Sequence, residues 1–200
     1  MVERIHNGIR RNTIKKMDGI IFQKIAANEK YLCELDAPIG DSDHGFNMKR
    51  GMDAVVTKLN SAPDDLTICL KTIAMALIST VGGASGPLYG TAFLEMAKES
   101  TKNNNIVDLL EAALAGIKKR GGATTGDKTM VDVWSVVIEA IKQDALTTEK
   151  IEAAVLATKD MIAKKGRASY LGERSINHID PGSQSSGYLF ESLLEVINNK

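Results

Sequence analysis

The sequence predicts an all-α fold, on three observations. Apolar residues recur at spacings of three and four along most of the chain, the period of an amphipathic helix. Proline (four residues) and aromatic residues (4%) are scarce, whereas strands favour aromatic and β-branched side chains. Ala, Leu, Ile, Met and Lys dominate, and these are good helix formers.

Taken in order, the stripes define eight helices. Ile14, Met17, Ile21 and Ile25 mark the first, and residues 48–59 the second. The third spans 66–80 behind Pro63, Asp64 and Asp65, whose acids suit the positive end of a helix dipole. The fourth spans 90–100, and Ile106, Leu109, Leu110, Leu114 and Ile117 mark the fifth. The sixth covers 129–142, the seventh 151–164 with Thr148 and Glu149 preceding it, and the eighth 187–198. No repeat, low-complexity tract or composition shift interrupts them. The expectation is therefore one domain over residues 1–200, folded as a single antiparallel bundle of eight helices.

Bulk properties exclude several functions. Lys plus Arg number 25 and Asp plus Glu number 25, so no net field attracts nucleic acid or an anionic membrane. The most apolar stretch, 66–81, contains Lys71 and is short for a bilayer. Cys33 and Cys69 have no Cys-x-x-Cys spacing, which fits a reducing compartment. No nucleic acid, no membrane and a cytoplasmic location are the expectations. His6, on the N-terminal segment, carries no signal.

Four connections are richer in Gly, Asp, Ser and Thr than joining two helices requires: 36–45, 82–90, 121–129 and 166–186. They follow helices one, three, five and seven. Helices in an up-and-down bundle alternate in direction, so these loops share one end and should converge there.

The first loop, Leu35-Asp36-Ala37-Pro38-Ile39-Gly40-Asp41-Ser42-Asp43-His44-Gly45, packs three carboxylates into eight residues between glycines that permit sharp turns. Like charges that close repel unless a cation sits among them. All-oxygen ligands point to magnesium, manganese or calcium. An isolated Asp-x-Asp is more often a capping turn, and the third Asp with the flanking glycines shifts the balance to metal. An EF-hand is excluded, because the required Glu would fall at Met52 or Asn47.

The second loop, Gly82-Gly83-Ala84-Ser85-Gly86-Pro87-Leu88-Tyr89-Gly90-Thr91, opens a helix, where backbone N–H groups can cradle phosphate. It lacks the Lys-Ser/Thr of a Walker loop, and a purely packing role remains equally open. In the third, a helix cap is one reading open for Asp127, and Lys128 reads as a solvated cation. In the fourth, Arg167 suits bidentate phosphate binding. His44 and His178 each suit a proton carrier, a phosphate donor, a phosphoacceptor or a hydrogen-bonding neighbour, and His44 is the better candidate beside Asp43.

These four stretches resemble a known family: the nucleotide-binding subunit of phosphotransferase-system dihydroxyacetone kinases and the corresponding domain of ATP-dependent ones. The matching residues are Gly40 to Gly45, Gly82 to Gly90, Gly126 to Met130, and Arg167 to Ser175 with Asp180-Pro181-Gly182. The resemblance implies a barrel-like bundle of eight antiparallel helices with nucleotide and metals at one end. It implies that Asp36, Asp41 and Asp43 bind two magnesium ions, and that His44, Gly45, Phe46, Asn47, Ala84 and Ser85 face the phosphates. Gly121 and Met130 would line the adenine side, with Arg167, Asp180, Pro181 and Gly182 closing over the nucleotide. His44 and Arg167 are the expected catalytic residues, Arg167 stabilising charge during transfer.

The implied cofactors are ADP, transiently ATP, and two Mg2+. The implied partners are a dihydroxyacetone-binding kinase subunit and a phosphohistidine donor subunit, and the sequence leaves a homodimer open. The implied reaction is phosphorylation of bound ADP by the phosphohistidine donor, then transfer to the sugar. The alternatives are an ATP-exchanging subunit for another small ketose or triose, and a non-catalytic nucleotide-bound regulator. A metal-dependent phosphohydrolase is weakened by the absence of a His-rich ligand set. Ser42 and Asn177 stand where the family often has Gly, and Phe46 where a small or polar residue is usual.

Overall fold

The computed structural model describes residues 9–199, so His6 lies outside the described residues. Among these residues every regular element is helical. We number the helices α1 (Arg11–Ala27), α2 (Glu29–Asp36), α3 (His44–Asn60), α4 (Leu66–Thr80), α5 (Ser85–Glu99), α6 (Ile106–Gly121), α7 (Met130–Lys142), α8 (Thr148–Ala157) and α9 (Pro181–Asn198), with short 3-10 stretches at Thr158–Asp160 and Arg167–Ser175.

The stripes read from the sequence are the buried faces. Ile14, Met17, Ile21 and Ile25 of α1 are at most 5% exposed, and Ile106, Leu109, Leu110 and Ile117 of α6 are buried likewise. Caps set several ends. Asp65 accepts from Ile68 N at 2.7 Å to start α4, and Asn105 accepts from Val107 N at 2.8 Å to start α6. α6 stops where Gly122 turns left-handed at φ 61, after Lys118, Lys119 and Arg120 in the last turn.

The structure adds one helix to the eight expected. α2 follows α1 after a break at Asn28, yet Asn28 N still donates to Lys24 O and Leu32 N to Asn28 O. Helical hydrogen bonds therefore run up to the break from both sides. Other boundaries move. α5 begins at Ser85, inside the glycine-rich loop, and α8 ends at Ala157 instead of reaching 164. Thr147, one residue before Thr148, caps α8. The long loop 166–186 contains the Arg167–Ser175 stretch and the first turn of α9, which starts at Pro181 with Asp180 as its cap.

Each helix packs on its neighbours in sequence, and α9 returns to pack on α1, so the contacts close a ring. α9 touches α1, α2, α3, α7 and α8, and most of its residues are buried. At its middle Phe190 meets the edge of Trp134 with ring centroids 4.9 Å apart. No helix among the described residues is long and apolar enough to cross a membrane.

Candidate functional site

The four rich loops converge on a cavity of about 390 Å3, within the range that holds a small-molecule cofactor. One contribution is the α2–α3 turn. Asp36 ends α2 as a buried carboxylate, and its Oδ2 accepts from Asp43 N at 3.0 Å and His44 N at 3.3 Å. It thus caps α3 from a distance. Gly40 allows this approach, because a Cβ there would sit 1.9 Å from Asp36 Oδ1. Ser42 holds φ 63, a left-handed conformation that explains why glycine suits this position; Asn177 does the same at φ 72.

Asp36, Asp41 and Asp43 each place a carboxylate oxygen within 4.8 Å of the others. The side chain of Asp43 makes no cap bond, and Asp41 Oδ2 pairs with Arg167 Nη2 at 2.9 Å. Asp43 therefore keeps both oxygens free for a cation, and Asp36 and Asp41 keep one each. The set is all oxygen, which suits magnesium.

His44 opens α3 and is buried between two serines. Its Nδ1 lies 3.3 Å from Ser85 Oγ and its Nε2 3.0 Å from Ser185 Oγ. Burial pushes its pKa down to about 4 against the pull of Asp36 and Asp43, so the ring is neutral at pH 7. The seam continues. Tyr89 Oη lies 2.8 Å from both Ser185 and Ser186, and Trp134 Nε1 donates to Ser186 Oγ at 3.0 Å. Through these serines the start of α9 is fixed to α3, α5 and α7.

Asn47 also lines the cavity, and Gly82 makes room for its side chain, since a Cβ there would come within 2.7 Å of Asn47 Oδ1. Ala84 and Ser85 contribute from the start of α5, where Gly83 turns at φ 63. Leu88, Ile117, Met130 and Val131 supply an apolar lining from α5, α6 and α7, beside Gly121. Arg167, Asp180, Pro181 and Gly182 complete the rim. Desolvation pushes Asp180 up to about 6, against hydrogen bonds from Ser183.

Gly45 and Phe46 are not brought to this cavity. A Cβ on Gly45 would meet Glu29 O at 1.8 Å, so this glycine serves the contact of α3 with α2. Phe46, the next residue round the helix, points outward and is 58% exposed. His178 is likewise absent from the lining.

Lys128 corrects the sequence reading: it is 1% exposed, not solvated, because its ammonium donates to the carbonyls of Thr158 and His178. Asp127 is not a helix cap either. It accepts from Thr124 N and Oγ1, which hold its pKa below the usual value, while Thr129 and Asp132 form the capping box of α7. Lys128 lines the cavity, as do Arg120 and Lys165. For Lys128 a signal existed in its place between Asp127 and Thr129 in the matched stretch; lone lysines are usually exposed, and that prior prevailed.

Comparison with known proteins gives concordant matches. A family model described as the DAK2 domain matches residues 38–195. The ADP-binding subunit DhaL of the PTS-dependent dihydroxyacetone kinase of Lactococcus lactis is 52% identical over 180 residues, covering 90% of this chain and 94% of that protein. The ADP-binding subunit DhaL of the PEP-dependent dihydroxyacetone kinase of Escherichia coli is 41% identical over 185 residues, covering 84% of this chain and 88% of that one. The crystal structure of the dihydroxyacetone kinase from C. freundii in complex with AMP-PNP and Mg2+ has the same fold, with a TM-score of 0.76 at 23% identity over 94% of this chain and 34% of that chain.

Proposed function

The chain belongs to the DAK2 domain family, and we propose that within it the chain is the nucleotide-binding, phosphoryl-carrying subunit of a phosphotransferase-system dihydroxyacetone kinase. The observation that carries this reading is the meeting of three carboxylates at one cavity with an apolar lining from α5 to α7. That combination suits a ligand with a flat apolar part and a polyanionic, metal-bound part.

ADP with two magnesium ions would be held there by Asp36, Asp41 and Asp43, and when bound would supply the acceptor for a phosphoryl group from a phosphohistidine donor and, as ATP, the donor to dihydroxyacetone on a partner subunit. The residues of this chain bind and orient. Asp41 and Asp43 offer free carboxylate oxygens and Asp36 offers Oδ1, its other oxygen being committed to α3. Neutral His44, held from both ring nitrogens by Ser85 and Ser185, presents a fixed polar edge beside them. Arg167, paired with Asp41 across the rim, carries the forked guanidinium suited to oxygens whose charge grows during transfer. Leu88 and Met130 exclude water from the apolar side.

Relatives named for the ADP-binding role, at up to 94% coverage of their length, support the coenzyme form over an exchanging one. The test mixes this chain with its sugar-binding partner and dihydroxyacetone, once with free ATP and once with a phosphohistidine donor protein. Turnover should depend on the donor protein. Sustained turnover from free ATP alone would move the chain to the ATP-exchanging type.

A further inference from the structure

Residues 158–178 leave the bundle between α8 and α9, cross the rim of the cavity and return. The segment carries Arg167, which reaches Asp41 at 2.9 Å, and its residues 165–168 line the cavity. Little apolar burial holds it down, since among residues 159–178 only Ala163 and Ser175 are buried. Its two ends, however, meet at one atom. Lys128 Nζ donates to Thr158 O at 2.5 Å and to His178 O, 20 positions apart along the chain. Asn177 N to Lys159 O at 2.8 Å and Asp180 N to Thr158 Oγ1 at 3.1 Å close the same neck.

We propose that Lys128 is the clasp of this segment, a positioning residue whose ammonium ties both ends of 158–178 together and so keeps Arg167 over the cavity. The proposal rests on the nucleotide reading only in taking that cavity as the ligand site.

The placement of Lys128 is otherwise hard to explain. A lysine stem is long enough to carry its charge to water, and most lysines do so. Here the side chain is 1% exposed, and among the described residues no carboxylate pairs with it at salt-bridge distance. A buried cation of this kind is unfavourable unless its protons are satisfied. The acceptors it finds are carbonyls that regular structure leaves over. Thr158 follows the last turn of α8, where carbonyls lack helical partners and the dipole favours a cation. His178 lies in the stretch between the Arg167–Ser175 turn and α9. Burial lowers the ammonium's pKa, and Asp180 and Asp160 oppose that shift. The left-handed backbone of Lys128, at φ 60, aims the side chain inward from the turn between Gly126 and α7.

The test is hydrogen exchange by mass spectrometry on the full chain and its Lys128→Met variant, each with and without ADP and magnesium chloride. Methionine keeps the apolar stem and removes the three donors. Amides of 159–177 should exchange about tenfold faster in the variant, with α1 to α7 unchanged, because loss of the clasp favours local over global opening. Bound ADP should leave faster by a similar factor. Propylammonium added to Lys128→Ala should restore protection, and sodium chloride at equal ionic strength should not.

Unchanged exchange of 159–177 in Lys128→Met would overturn the proposal, as would an equal rise across every helix. If the methionine chain fails to fold, the alanine chain folded in propylammonium and then dialysed decides. Loss of protection confined to 159–177 supports the clasp, and its persistence overturns it. Absence of any ADP effect in the unsubstituted chain, with the exchange contrast intact, would fault the nucleotide reading and leave the clasp standing.

Discussion

Asp36, Asp41 and Asp43 have the same side chain and unlike duties. Asp43 makes no cap bond, so Asp43→Ala should abolish phosphoryl transfer with stability changed by about 0.5 kcal/mol at most. Asp36→Ala should abolish transfer and also cost about 1 kcal/mol, since its Oδ2 serves two N–H groups at the start of α3. Thermal melts beside a coupled assay separate the two, and equal melting temperatures would contradict the capping role of Asp36. A second residue, unrelated to the cavity, sets a pH dependence. Asp18 is 5% exposed on α1, its Oδ2 has no partner among the described residues, and burial pushes its pKa up to about 8. The folded state then holds a proton that the unfolded chain loses near pH 4, so this site costs stability increasingly from about pH 4 to about pH 8. Asp18→Asn should raise the melting temperature at pH 8, less at pH 6, and not at pH 4; a gain independent of pH would refute the assignment. At this scale the carboxylate triplet was legible because three acids between glycines have few purely structural uses. Lys128 and Phe46 were not, because whether a side chain turns inward depends on partners far along the chain: Thr158 and His178 for the lysine, the α2 contact that fixes the rotation of α3 for the phenylalanine.

Elements were legible where apolar period and local capping agree. The buried stripes of α1 and α6 and the cap of α4 at Asp65 follow from residues within a turn of one another. Boundaries beside the site were not, because there helix starts are made of residues that ordinarily end helices. α5 begins among Gly82, Gly83 and Gly86, and α9 begins at Pro181-Gly182 with three buried serines behind. Two of them, Ser185 and Ser186, are satisfied by Tyr89, His44 and Trp134 from other helices, which no local pattern reveals. α2 escaped notice because it prolongs a helix across Asn28 without a new apolar stripe. Its contact with α3 is tight: Gly45→Ala would place a methyl 1.8 Å from the backbone oxygen of Glu29, which cannot swing away as a side chain can. We expect that substitution to cost about 1–3 kcal/mol by overpacking and to weaken metal binding, because moving α3 from α2 also moves Asp43 from Asp36. Denaturant unfolding and a magnesium titration would check it, and wild-type behaviour in both would show that the two helices separate freely.

For the whole molecule, the four rich loops line one cavity, the convergence that an alternating bundle leads one to expect from a helix count in the sequence. The consequence is that separate parts of the ring contribute to one cavity: α2 and α3 through the carboxylates, α5 and α6 through Ser85 and Gly121, α7 through Met130, and α9 through Asp180 to Gly182. A ligand touching all of them adds links beyond the packing of neighbouring helices and of α9, so it should stabilise the ring as a unit. We therefore expect the protein to purify with ADP and magnesium bound. Tight binding within a family of complexes lies mostly in slow release, and residues 165–168 of segment 158–178 line the cavity. A ligand at a hundred times its dissociation constant adds about 2.7 kcal/mol to stability by mass action. Stripping with a chelator should accordingly lower the melting temperature by several degrees and keep the transition cooperative, and ADP with magnesium should restore it while either alone restores less. Nucleotide in the purified protein is read by absorbance and chromatography after acid release. A preparation free of nucleotide, with a melting temperature indifferent to chelator and to ADP with magnesium, would remove the coenzyme reading, because a cofactor bridging this many parts of the ring cannot be lost without loosening it.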